Sequence, residues 1–306
     1  MQPEASPDQK AARMQRYADL IIKVGLNLQD GQRLFILPHQ LEVAPLVRQV
    51  AARAYQHGSP LVSVLWLDER LTRLRYQTAP KGTFTEILDC LYAGLLEGIE
   101  RGDAYLQIDG ADPNLLDDLD PAAAPFPEAE LYADRIAARN QTVARHYRPI
   151  GEQQGKNSVK WCFVAQPTPA WAAKVFPEVV TGEAEELLWG AVAAATRLDE
   201  QDPADFWGKY LGNLERRKEM LNAKQYVALH FRAPAGSYGP GTDLRVGLPK
   251  GHIWAGGTAF TPAGVQFAPN LPTEEVFTLP HRAQVEGTVT SSRPLDYRGS
   301  LVENFH

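Results

Sequence analysis

Leu34-Phe35-Ile36-Leu37, closed by Pro38, is a short run without a polar side chain. A strand covered on both faces reads this way, whereas a strand with one wet face alternates apolar with polar residues. Upstream, Tyr17, Leu20, Ile21 and Val24 repeat at the spacing of one helical face, with Gly25 as a stop and Asp30-Gly31 as a turn. Downstream, Val43, Leu46, Val47, Val50, Ala51 and Ala54 predict a helix closing near His57-Gly58. The cycle then repeats. Leu61–Leu67 (LVSVLWL) is a second strand. Leu88, Leu91, Tyr92, Leu95, Leu96 and Ile99 form a helical stripe ending at Gly102, and Ala104–Ile108 is a third strand. Tyr132, Ile136, Val143 and Tyr147 suit a helix, and Trp161–Val164 a fourth strand. Strands separated by helices run parallel through crossovers, so the fold class is α/β, an open, mostly parallel sheet with flanking helices. The stretch 121–127 (PAAAPFP) reads as a loop.

Two further helices follow. Ala184, Leu187, Leu188, Ala191, Val192 and Ala195 share a face, and Asp202-Pro203 supplies an N-cap and a first-turn proline for the next. After Asn222 the texture changes to Gly- and Pro-rich sequence with short alternating segments at 226–231, 243–248, 252–254 and 284–290, and no helical stripe. The expected organisation is an α/β domain over 1–222 and a smaller β-rich unit over 223–306.

The chain has 306 residues, 44% hydrophobic and 22% charged, with 37 acidic against 31 basic side chains and a formal charge of −6. This composition excludes global disorder. Its longest basic cluster, Arg216-Arg217-Lys218, lies on an amphipathic helix and reads as a solvated face, so nucleic acid is not an expected partner. No apolar run is long enough to span a membrane and no secretory signal opens the chain, so a cytoplasmic protein is expected. Cys90 and Cys162 sit in apolar surroundings and read as buried free thiols.

Several catalytic motifs are absent: no GxSxG, HExxH, CxxC or Walker A sequence occurs, and no GxGxxG supports dinucleotide binding. In an open α/β sheet, ligands bind beyond the carboxyl ends of the strands. Those ends carry Pro38-His39, Asp68-Glu69, Asp109-Gly110-Ala111-Asp112 and Gln166-Pro167-Thr168. Asp109 and Asp112 could hold a cation or cap the following turn. In Asn270–Thr278 (NLPTEEVFT), a strand would send Glu274 and Glu275 to opposite faces, and an inward carboxylate needs a partner or a metal. A helix cap is the competing reading of the same cluster.

These residues carry a family likeness. YADLIIKVGLNLQDGQ (17–32), PLVSVLW (60–66), the segment Trp171–Pro177, GTDLRVGLPKGHIWAGG (241–257), PNLPTEEVFTLPHRAQVEGTV (269–289), SRPL (292–295) and GSLVEN (299–304) run nearly collinear with one family. The chain resembles the M29 metal-dependent aminopeptidases of the aminopeptidase T type. The resemblance implies a cytoplasmic, homodimeric exopeptidase that releases amino-terminal residues from peptides, using two divalent ions, zinc or cobalt, to activate water. It assigns Glu275 as a metal ligand, with Glu274 its neighbour. It places the family's other ligands, a Glu, two His, a Tyr and an Asp, beyond position 306, and His230, His252 and His281 do not match them. On this ground the chain is expected to lack the carboxyl-terminal catalytic portion and to be impaired. The alternative is a non-catalytic remnant acting as a binding or assembly module.

Overall fold

In a computed structural model of the chain, the residues described are 6–302 apart from 81, 111, 114, 116–129, 237, 238, 240, 292–294, 298 and 299. The loop expected at 121–127 lies outside them. The helices are α1 (Pro7–Leu20), α2 (Ala44–Gln56), α3 (Glu69–Thr78), α4 (Asp89–Arg101), α5 (Glu130–Gly155), α6 (Pro169–Val175), α7 (Thr181–Thr196) and α8 (Pro203–Lys224). The strands are β1 (Leu34–Pro38), β2 (Val62–Val64), β3 (Ala104–Asp109), β4 (Trp161–Ala165), β5 (Ala228–Ala233), β6 (Thr242–Gly247), β7 (Ala259–Phe260), β8 (Gln266–Phe267), β9 (Asn270–Leu271), β10 (Val285–Thr288), β11 (Leu295–Tyr297) and β12 (Ser300–Val302).

The chain divides into two compact units, Met1–Lys209 with Thr258–Thr273, and Tyr210–Gly257 with Glu274–His306. In the first, five strands pair in the order β2-β1-β3-β4-β9, all parallel. β1 is the seed: Leu34 lies opposite Val62 on one side and Ala104 on the other. The connection from β1 to β2 leaves in one direction, and the sheet then grows in the other through β3, β4 and β9. A crevice opens where the direction reverses, at the carboxyl ends of β1 and β3.

Both faces of this sheet are covered, as the unbroken apolar run of β1 requires. Leu37 and Tyr105 pack with Leu95 and Ile99 of α4, Ile150 of α5 and Val159. Leu34, Ile36, Leu106 and Ile108 alternate with them along the strands and are also buried. Sequence signals at the helix ends act as predicted. Asp202 Oδ1 accepts hydrogen bonds from the amides of Ala204 (3.0 Å) and Asp205 (3.1 Å), with Pro203 opening α8. Gly102 ends α4 in the left-handed conformation. At the start of α1, where no cap was expected, Ser6 and Gln9 form a reciprocal capping box.

Several expectations are corrected. The second strand is shorter than 61–67, although the amides of Leu65 and Leu67 still donate to Ile36 O (3.0 Å) and Pro38 O (2.9 Å) beyond its regular part. Cys162 is buried in β4, but Cys90 is exposed. It sits on the first turn of α4, whose buried side is Leu95, Gly98 and Ile99. Segment 252–254 is not a strand. The division expected at 222/223 becomes two interleaved units, because Thr258–Thr273 folds with the α/β unit. There β7 and β8 form a hairpin, β9 completes the sheet beside β4, and Phe267, Ala268 and Leu271 are buried. A two-residue strand between prolines is too short to show a period.

In the second unit, β10-β6-β5 form an antiparallel sheet, with Val285 opposite Val246 and Phe231 opposite Leu244. β11 and β12 pair as a separate hairpin. The sheet's outer strands leave edges unpaired within it, and Val227, Phe231, Ile253, Leu279 and Val285 are exposed.

Trp207 is fully buried and its indole Nε1 donates to Thr196 O at 2.8 Å. Trp207→Ala removes that ring and leaves an unpaired carbonyl, so it should destabilise the protein by about 3–5 kcal/mol. Trp207→Phe should cost less. Denaturant unfolding of both variants measures the difference, and equal losses would contradict this account.

Candidate functional site

The Glu275 segment is held from its backbone. Asn222, near the end of α8, accepts a hydrogen bond from the Trp254 amide on Oδ1 (2.8 Å) and donates from Nδ2 to Trp254 O (3.2 Å). Gln225 Nε2 donates to His252 O at 3.1 Å. The loop so fixed carries Ala255, which exchanges two 2.8 Å hydrogen bonds with Phe277, and Thr278 Oγ1 donates to Ile253 O at 2.8 Å. Between these contacts Gly256 adopts φ +129°, and a Cβ there would lie 2.4 Å from Glu275 O. Only glycine allows so close an approach.

The two glutamates do not lie in a strand, so the inward and outward pair does not arise. Only Phe277 bridges to Ala255, and Glu274 and Glu275 are both exposed. Glu274 lines a cleft of about 520 Å³ with Tyr210, Leu214, Met220, Arg216 and Arg217. The basic cluster is thus divided: Arg216 and Arg217 are exposed on that cleft, while Lys218 is half-buried against Glu215 at 2.6 Å.

Among the described residues, no three His, Cys, Asp or Glu side chains converge as a metal cage. The described histidines of the second unit are engaged elsewhere. His230 Nε2 contacts Asp243 Oδ1 at 2.6 Å, His252 Nδ1 lies 3.0 Å from Pro249 O, and His281 Nδ1 accepts from the Ala283 amide at 3.3 Å. A single carboxylate does not fix a divalent cation against its hydration shell. The described residues therefore do not fit a complete metal centre, and Glu275 stands as one candidate ligand.

The strand ends named from sequence do come together. Gln40 and Glu42 after β1, Asp68 to Arg70 after β2, Gly110 and Asp112 after β3, and Thr168 after β4 line a cleft of about 260 Å³. Thr168 Oγ1 donates to Gly110 O at 2.7 Å, and a Cβ on Gly110 would lie 2.5 Å from Gln166 O, so glycine lets β3 and β4 close on each other. Asp68 is used as the N-cap of α3, Glu42 pairs with Arg70 at 2.9 Å, and Asp109 Oδ1 accepts from the Gly110 amide at 2.8 Å. Capping and turn formation therefore account for Asp68 and Asp109.

Glu69 is different. Burial pushes its pKa up, opposed by a 3.3 Å hydrogen bond from the Asp112 amide and by the nearby Gln40 amide, while Asp109 and Asp112 push it up further. Burial likewise holds His39 below the ordinary histidine value, against the opposing pull of Asp109. Gln40 is only 7% exposed, and neither amide atom reaches a partner in hydrogen-bond geometry. Its Nε2–Glu69 approach favours the carboxylate's charge without completing such a bond. Gln166, also buried, leaves Oε1 without a partner. Sequence reasoning named Gln166 among the strand-end residues but passed over Gln40, since a neutral amide carries no charge or periodicity signal; its position just after β1 was the available clue.

The family model for thermophilic metalloprotease (M29) matches residues 10–306. The chain belongs to the M29 metalloprotease family. It is 39% identical over 292 residues to aminopeptidase 2 of Geobacillus stearothermophilus, covering 95% of this chain and 66% of that protein. It is equally identical over 290 residues to aminopeptidase T of Thermus thermophilus, with the same coverage. A solved structure of wild-type AmpT from Thermus thermophilus superposes with a TM-score of 0.83 at 36% identity, covering 95% of this chain and 67% of that one. The M29 match agrees with the α/β architecture and its five-stranded parallel sheet. The chain spans about two thirds of the length of the curated relatives, 66% for the two named. Neither the comparisons nor the structure supports the expectation that a carboxyl-terminal catalytic portion is lacking. No helix among the described residues is long and apolar enough to cross a membrane.

Two outcomes follow from this geometry. Gly256→Ala would drive a Cβ into the Glu275 carbonyl at a positive φ, and should lower stability by more than about 1 kcal/mol. Thermal unfolding reads that loss, and an unchanged midpoint would contradict the clamp. The neutral His39 is favoured in the folded state, so the unfolded chain takes up this proton first. Stability should then fall as pH drops below about 6.5 and level off once the folded imidazole also protonates. In His39→Gln this part of the slope should vanish, as measured by melting temperature against pH; an identical slope would contradict the assignment.

Proposed function

We propose that this chain acts as a metal-dependent aminopeptidase, releasing amino-terminal residues from peptides. The observation that carries this reading is the collinear match to the M29 family over residues 10–306, shared with relatives that are named aminopeptidases. The resemblance supports a cytoplasmic homodimer using two divalent ions, zinc or cobalt. It also supports Glu275 as a metal ligand. The pinned backbone and exposed carboxylate of Glu275 suit that role, because a ligand on a fixed main chain loses little freedom on binding. A bound divalent ion would supply an activated water and polarise the scissile carbonyl. This chain's own contribution is to hold one carboxylate in place and to keep Glu274 beside the Arg216 and Arg217 cleft. The impaired state and the non-catalytic module gain no support from the structure or the relatives.

Release of a fluorogenic group from a leucine substrate, with added cobalt or zinc, tests the proposal. Metal-stimulated turnover is expected, and Glu275→Gln should reduce it by at least about 100-fold. Turnover indifferent to both metal and the substitution would overturn the role of Glu275. Absence of turnover in the unsubstituted protein would overturn the activity.

A further inference from the structure

The cleft of about 520 Å³ along α8 lies wholly within the second unit. Room for roughly seventeen water volumes suits a small organic molecule more than a bare ion. Its walls differ in chemistry. Tyr210, Leu214 and Met220 give an apolar side, while Arg216 and Arg217 bring two guanidiniums to the same space. Glu274 is the one carboxylate among the described residues of the lining, so two positive charges face one negative in a chain whose formal charge is −6.

Helical spacing builds this arrangement. Tyr210, Leu214 and Arg217 follow one another at four and three residues, so Arg217 stands on the face that the apolar pair covers. Arg216 and Met220, four apart, flank it. The basic side chains of α8 are not equivalent. Lys209 lies 2.6 Å from Asp205 and Lys218 2.6 Å from Glu215, so each has an acid on its own helix. Arg216 donates to Asn213 Oδ1, a neutral acceptor that orients the guanidinium without neutralising it. No ion pair among the described residues ties Arg216 or Arg217 to an acid. Both sit on the carboxyl-terminal half of α8, where the helix dipole works against a dense negative charge. A singly charged, planar carboxylate therefore fits better than a phosphate dianion, and it matches the fork of an arginine.

We propose that this cleft binds a carboxylate carried on an apolar body, with the carboxylate on the Arg216 and Arg217 guanidiniums and the apolar group against Tyr210, Leu214 and Met220. Two sources present that chemistry, an N-acylated amino acid and the carboxyl end of a short peptide. The site uses neither Glu275 nor a metal, so it does not depend on the aminopeptidase reading.

The test is isothermal titration of the full chain, stripped of metal on a chelating resin, with N-acetyl-L-leucine. This probe carries a carboxylate and an apolar side chain but no free amine. Saturable binding of one equivalent is expected. The neutral N-acetyl-leucinamide and plain acetate should each bind at least about tenfold more weakly, since each satisfies half of the site. Arg217→Ala should weaken the acid by about tenfold or more and Arg217→Lys by less, whereas Glu274→Gln should tighten it by removing the opposing charge. All of these side chains are exposed, and circular dichroism checks that the variants fold. Sodium chloride at about 1 M, where the Debye length is about 3 Å, should weaken the acid and not the amide. N-Acetyl-glycyl-leucine separates the sources: binding as tight as that of the shorter acid assigns a peptide end, and weaker binding assigns the acylated amino acid. No saturable heat, equal binding of acid and amide, unchanged affinity in Arg217→Ala, or inorganic phosphate binding more tightly than the acid would overturn the proposal. Failure of the aminopeptidase assay would leave this titration unaffected, so the two readings fail separately.

Discussion

The hydrogen-bonded ladder between β1 and β3 is the constraint on which the α/β unit depends. It runs from Leu34 opposite Ala104 to Pro38 opposite Ile108, and both strands are buried on both faces. Parallel strands so placed need helices above and below, which α4 and α5 supply on the side of Leu37 and Tyr105. They also need neighbours on both edges. β2 takes one side, and β4 with β9 extends the other. The reversal of direction at this ladder makes the crevice, so the apolar core and the polar cleft are consequences of one pairing.

Much of this was legible because the signals were local and periodic. The run Leu34–Leu37, the stripe Leu88–Ile99 with its Gly102 stop, and the Asp202-Pro203 start each report a backbone state through side chains within a few residues. The return of Thr258–Thr273 was not legible. β9 is two residues long and acquires its meaning from a partner more than a hundred residues away in sequence, Phe163 opposite Asn270. The outward turn of Cys90 shows the same limit, since its apolar neighbours in sequence do not fix which side of α4 it occupies.

The candidate sites divide along similar lines. Glu275 could be singled out by family likeness, whereas its spacing alone favoured a helix cap over a metal ligand. What sequence could not supply was the clamp that fixes it, because Asn222, Trp254, Gly256 and Phe277 meet through main-chain hydrogen bonds that leave no charge pattern. In the α/β unit the acids at the strand ends were visible, yet their duties were not. Asp68 and Asp109 serve the backbone, while Glu69 and the uncharged Gln40 face the cleft.

The polypeptide passes between its two units three times, at 209/210, 257/258 and 273/274. No single scission can therefore separate the two units from each other with both whole. A fragment ended after Asn222 would forfeit β9 and the β7–β8 hairpin, baring the flank of β4 and the niche that Phe267 and Leu271 fill. Such an open parallel margin invites association with other chains. For this protein, dissection into modules has to follow the weave of the chain, and a shortened version behaves as a damaged sheet before it behaves as an isolated domain.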